Sequence, residues 1–219
     1  MTSYSVDDRP DTHKMVVIHR IFRRGFAVLA DVADRVPSGD TARARAVAAH
    51  AEFLLNGLHH HRAAEDTDLW PRLAERAEPD ALLVARMSDQ QEAVALHIAA
   101  IRRLFSRWRS APGGPELADG LRGLGDAPDP HLDEEEAHIL PLARIHVSAP
   151  EWQQFGDAAF AGFTNDAKLL AVGHMLDVAT AGEAAAFLRK LPLPVRLIWH
   201  LAGRRRYARH MSAVLGTQR

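Results

Sequence analysis

The chain predicts an all-α protein, an antiparallel four-helix bundle followed by a helical extension, on three observations. Alanine- and leucine-rich stretches with apolar residues every three to four positions recur throughout its 219 residues. Valine, isoleucine and tyrosine nowhere alternate over the length of a strand. Proline and glycine clusters divide the apolar stretches into helix-sized segments with modest connections, the pattern of a bundle.

The first helix is expected to start near Thr12 and to carry Met15, His19, Phe22, Phe26 and Leu29 on one stripe, stopping at Val36-Pro37-Ser38-Gly39. The second runs from about Thr41 to Ala77, with Leu54, Leu58, His61, Glu65, Leu69 and Leu73 in register and a kink at Pro71. The third begins near Pro79, turns Met87, Gln91, Val94, Ile98, Ile101, Phe105 and Trp108 inward, and ends at the Ala-Pro-Gly-Gly-Pro run over 111–115. A short helix over 116–124 and a glycine- and proline-rich break over 125–130 precede the fourth, whose stripe is His131, Glu135, Ile139, Leu142 and Ile145. These helices make a bundle domain over residues 1–147.

Residues 148–219 form the extension packed on it. Ser148 caps a helix with Pro150 in its first turn, running to Phe163. Thr180 and Glu183 make a capping box that opens a helix to Leu191, and Leu191-Pro-Leu-Pro194 leads into a last helix ending near Val214. That helix carries Arg204, Arg205, Arg206 and Arg209. A solvated arginine face with the apolar side packed on the bundle is expected, and weak contact with a membrane surface is the alternative.

With 27 basic and 28 acidic groups, the chain has no global field to attract nucleic acid or an anionic membrane, so a small molecule or a protein is the expected partner. It has no cysteine. Any metal must therefore be held by nitrogen and oxygen donors, which favours iron or manganese over structural zinc. The N-terminus lacks a secretory signal pattern and no apolar run approaches spanning length, so a cytoplasmic protein is expected. No nucleophile elbow, phosphate loop or zinc-protease spacing supports a hydrolase.

The chemistry lies in two helical turns, His61-Arg-Ala-Ala-Glu65 and His131-Leu-Asp-Glu-Glu135. Four residues is about one turn, so each pair presents an imidazole beside a carboxylate. Both pairs fall on apolar stripes, where two facing carboxylates would repel and a cation would relieve them. His19 shares a stripe with Met15 and Phe22. The expected ligand set is therefore His19, His61, Glu65, His131 and Glu135, from three helices. His60 is expected behind it, and Asp66, Glu134 and Glu136 are expected to point away, as solvated groups or as groups that support the ligands from behind. His13, His50, His138, His146, His174, His200 and His210 have no matching partner and are expected to be surface or structural.

The stretches Met15-Val-Val-Ile-His19-Arg20, Leu58-His-His-His61-Arg-Ala-Ala-Glu65-Asp-Thr-Asp-Leu-Trp-Pro71 and His131-Leu-Asp-Glu-Glu135-Glu-Ala-His-Ile-Leu-Pro141 resemble those of hemerythrin-like (HHE cation-binding) proteins, in particular long forms common in actinobacteria. The likeness runs on through Glu151-Trp152 and Leu191-Pro-Leu-Pro194 to Tyr207. It implies a non-haem di-iron centre bridged by carboxylates, with an open position for dioxygen, nitric oxide or peroxide, and roles in sensing, storage or detoxification. The five residues above match the family's ligands. The resemblance also implies a third-helix histidine, where this chain has Gln91; His97 stands six residues further on. One metal, a weakly held second, or a metal-depleted interaction module are the consequences that follow from that change.

Overall fold

The computed structural model describes residues 9–77, 81–108, 110, 112, 116–126 and 129–217, and these contain helices and no strand. The bundle helices are α1 (His13–Asp34), α2 (Thr41–Ala64), α3 (Trp70–Arg76), α4 (Ala81–Trp108), α5 (Glu116–Asp126), α6 (Asp129–Glu134) and α7 (Leu140–His146). The extension holds α8 (Ala149–Ala161), α9 (Asn165–Val178), α10 (Ala181–Lys190), α11 (Leu193–Ile198) and α12 (Arg204–Leu215). The expected third-helix start at Pro79 lies outside the described residues, as do parts of the breaks at 111–115 and 125–130.

Helix starts are fixed by side chains that accept from otherwise unpaired backbone N–H groups. Asp40 caps α2, Ser148 caps α8, Thr164 caps α9 and Thr180 caps α10. At Ser148 and Thr180 the glutamate three residues on returns the bond, which completes the capping box expected at Thr180 and adds a second at Ser148, where only the cap was expected. Between α1 and α2 the chain turns through Gly39 at φ 91°, a conformation that favours glycine.

α2 passes into α3, and α6 into α7, through a single π-helical turn: Glu65–Leu69 and Glu135–Ile139. Each turn ends just before a proline pair, Trp70-Pro71 or Leu140-Pro141. A proline ring clashes with the carbonyl four residues back, and widening the turn relieves this without breaking the helix. Trp70 N–H thus reaches Glu65 O and Leu140 N–H reaches Glu135 O. At Pro71 the expected kink is this wider turn.

The wider turn also sets the register. His61, Glu65, Leu69 and Leu73 are spaced by four, as are His131, Glu135, Ile139 and Ala143, and all eight are buried. In an unbroken α-helix each such step drifts by about 40°. The π turn takes up that drift and holds each series on one face. It also corrects the expected fourth-helix stripe: beyond Ile139 the buried positions are Leu140 and Ala143, while Leu142 is only partly buried and Ile145 is exposed.

α1 packs against α2 and α5, α4 against α2, α3, α5 and α6, and α3 against α7. Among the described residues the interior is two apolar clusters. One gathers Phe22, Phe26, Leu29, Leu54, Leu58, Ile101, Phe105 and Leu121, and the other Met15, Leu69, Trp70, Leu73, Ile139 and Leu140. Between them lies a layer of buried polar side chains. His19 sits between Met15 of one cluster and Phe22 of the other, and His61 between Leu58 and Ala64.

The extension closes over α1 and α2: α8 packs on α2, α9 on α1, and α12 on α2 and α9. It adds Met175 and Val214 to the first cluster and Phe155 to the second. Glu151 pins α8 to α3, accepting from Arg72 at 2.7 Å and from Arg76 at 2.9 Å. At the C-terminal end the expected packing is corrected. A third π turn, Trp199–Gly203, buries Trp199 over Gly203, where a Cβ would lie 2.6 Å from the ring. Docking through Trp199 leaves Leu193, Leu197, Ile198 and Leu201 on the solvent side. No helix among the described residues is long and apolar enough to cross a membrane.

Candidate metal centre

The polar layer consists of His19 from α1, His61 from α2, Glu65 and Glu135 from the two π turns, and His131 from α6. His19, Glu65 and Glu135 are fully buried, and His61 and His131 are about 5 and 4 % exposed. Their donor atoms converge as two overlapping groups, His19 with His61 and Glu135, and Glu65 with His131 and Glu135. Within each group the atoms lie within 4.8 Å of one another. Glu135 belongs to both.

The contacts inside the layer are close but not those of a closed hydrogen-bond network. His61 Nε2 is 2.9 Å from Glu65 Oε1 and His19 Nε2 is 3.4 Å from Glu135 Oε2. Yet Nε2 of His19, His61 and His131 and both carboxylate oxygens of Glu135 are buried without a hydrogen-bond partner. Buried polar atoms are nearly always paired, and five unpaired ones facing one another make a cluster that a cation would complete. The donor set of imidazole nitrogen and carboxylate oxygen suits iron or manganese.

Surrounding groups aim these donors. Glu136 accepts only, so His19 donates Nδ1–H to it at 2.8 Å and turns Nε2 inward. Arg23 in turn donates to Glu136 at 2.7 Å and to Asp133 at 2.6 Å. On the other side Gln90 donates its amide N–H to Glu134 at 3.0 Å, which fixes its oxygen toward His131. That oxygen accepts from His131 Nδ1–H at 3.2 Å, and His131 Nε2 is left for the centre. Arg86 holds Glu134. The Phe22 ring packs on His61, centroids 5.5 Å apart.

Burial alone would lower both titrating histidines. For His19 this is outweighed by Glu135, Glu136 and Glu65, which raise it to about 9; for His131 burial wins over Glu135 and leaves it at about 4. Without an ion the carboxylates thus favour a proton on His19, which a cation bound at Nε2 would displace, whereas His131 already has a neutral ring.

His60, expected behind the centre, instead packs against Phe163 and under Gly162 of the extension. His97 is exposed on α4, and the Gln91 side chain lies outside the described residues. Glu134 and Glu136 do not simply face solvent: each orients a histidine through the contacts above. Gln90 and Arg23 were not anticipated, because their role depends on cross-helix contacts that a one-helix register does not reveal. His50, His174 and His210 have partners in one another. His50 Nδ1 is 3.0 Å from His210 Nε2, and the His50 and His174 rings stack with centroids 5.0 Å apart.

A helical bundle with a buried layer of inward-facing imidazoles and carboxylates defines a cation-binding protein. The chain matches the hemerythrin HHE cation binding domain over residues 11–143 and belongs to that family. The match ends before α8, so the extension lies beyond it. No curated protein and no solved structure matches the chain.

Proposed function

We propose that His19, His61, Glu65, His131 and Glu135 hold iron, as a two-ion centre sharing Glu135, and that the protein binds a small ligand there. Dioxygen, nitric oxide or peroxide is the ligand, for sensing, storage or detoxification in the cytoplasm. The observation that supports this most is the gathering of five unpartnered buried donor atoms into two overlapping groups, with Glu135 common to both. Iron bound there would supply an open coordination position and the capacity to exchange an electron with the ligand. The chain's own residues do the rest. Glu136 and Gln90 hold the His19 and His131 rings by their outer nitrogens, the π turns set the two glutamates, and Phe22 with the flanking clusters keeps water from the layer.

Iron analysis after anaerobic loading tests the reading. One to two equivalents per chain, lost in His61→Ala and Glu135→Ala, are expected; less than half an equivalent in the parent protein would contradict it. A second reading, a single ion or a metal-depleted interaction module, draws support from α4. Its Gln90 gives an amide to His131, and the resemblance implies a histidine where the chain has Gln91. On that reading Gln91→His raises iron stoichiometry, and an unchanged value removes Gln91 as the cause.

A further inference from the structure

Beside His61 a cavity of about 60 Å³ opens between the bundle and the extension. Its bundle wall includes Ile18, Phe22, Phe53, Leu54 and Gly57, and the opposite wall is Ala159, Phe160, Phe163, Ala171, His174 and Met175. Every residue of that second wall lies beyond the family match at 11–143.

The wall is held in place by ring contacts. Phe163 packs edge-on to Phe53 at 6.2 Å and to Phe160 at 5.3 Å, and Phe53 stacks on His174 at 5.3 Å. Lys14 of α1 sits 5.7 Å over the Phe160 ring. At Gly57 an added Cβ would meet Phe22 at 3.5 Å and Phe163 at 3.9 Å, so glycine there leaves the space between the walls open.

The volume is several times the ~10–15 Å³ that one water-sized molecule requires. A water also needs two to four polar partners. Among the lining side chains only His61 and His174 carry polar atoms, and Nε2 of each is buried. An anion or a peroxide entering this space would give up hydrogen bonds that the walls cannot replace, whereas an uncharged diatomic molecule has almost none to lose.

We infer that the extension and the bundle together form a binding cavity for one small uncharged, weakly polar molecule, and that the cavity delivers it to the His61 side of the polar layer. The delivery half rests on the metal-centre reading; the binding half does not. It gives residues 148–178 a function, as the wall that sorts uncharged gases from peroxide and anions.

Xenon is the probe for binding, used on the full chain without added iron. A crystal under xenon pressure is expected to show xenon between Phe22, Phe163 and His61, and xenon in solution to shift the methyl resonances of Ile18 and Met175. Gly57→Leu and, independently, Ala171→Phe should fill the space and abolish both signals while the helical circular dichroism is kept. Absence of xenon from this cavity in the parent protein overturns the inference.

Delivery is read by nitric oxide association with the iron-loaded protein. Gly57→Leu should slow it at least tenfold with iron content unchanged; an unchanged rate in a variant that excludes xenon overturns the delivery role. If the parent protein takes up no iron, the metal-centre reading fails, and the xenon result still decides the cavity.

Discussion

At the scale of single residues, Glu135 is the centre of the account. It is fully buried, both its oxygens lack hydrogen-bond partners, and it belongs to both groups of converging donors. Glu135→Ala should therefore weaken metal binding by more than 100-fold. Glu136→Gln and Gln90→Ala, which leave all five donors in place but loosen one ring each, should cost about 10- to 100-fold. Competition with a chromophoric chelator measures all three, and equal losses would deny Glu135 its shared position. The five inward-facing residues were legible because each falls on an apolar stripe, where an ionisable group needs a reason to be. Gln90 and Arg23 were not, since their side chains matter only through partners on another helix. The contacts of His60 with Phe163 and Gly162 are not legible for a related reason: one step round the helix from His61 leads to the extension, whose position no local pattern specifies.

At the scale of elements, the two π turns explain why a four-residue spacing survives over three steps on one face. Pro71 and Pro141, each six residues after a candidate ligand glutamate, were the available signal. A proline in a helical pattern reads as a break or kink, however, and the widened turn that keeps the helix going is a tertiary compromise. The capping box of α10 and the Ser148 cap of α8 were legible, because a cap is a local exchange of hydrogen bonds. Glu151 extends one of them into a tertiary anchor. Hydrogen bonds from Arg76 first, and from Ser148, hold its carboxyl well below the usual carboxylate range despite burial. Glu151→Ala should destabilise the protein by about 2 kcal/mol in urea unfolding, the sum of a lost cap and charge-assisted bonds.

The three histidines between α2, α9 and α12 make a second element-scale prediction. Burial lowers His174 to about 4 and His50 well below its ordinary value, with the neighbouring histidines acting in the same direction. The unfolded chain takes up these protons near the ordinary value of 6.5 while the folded chain does not. Stability is thus fully present above pH 6.5 and is lost as the pH falls toward 4, by about 3 kcal/mol from His174 alone. Thermal midpoints across that range should fall steeply in the parent protein and less so in His174→Phe, which keeps a ring against His50 and Phe53.

At the scale of the whole molecule, two apolar clusters with a charged layer between them carry an energetic cost that a protein built only for stability would avoid. The layer is retained where α1, α2, α6 and both π turns meet, and the extension closes the side at His61. The helical class and the bundle residues were legible from periodicity, and the family match over residues 11–143 agrees with them. The path of the extension was less so. Periodicity does not mark α9 although Thr164 caps it, and the apolar side of the last helix, expected on the bundle, leaves Leu197, Ile198 and Leu201 exposed. The most direct test is anomalous diffraction at the iron absorption edge from crystals grown with ferrous iron. One or two peaks among His19, His61, Glu65, His131 and Glu135 are predicted, with Glu135 touching each; no peak there, or iron only at another site such as the His50, His174 and His210 cluster, would contradict the account.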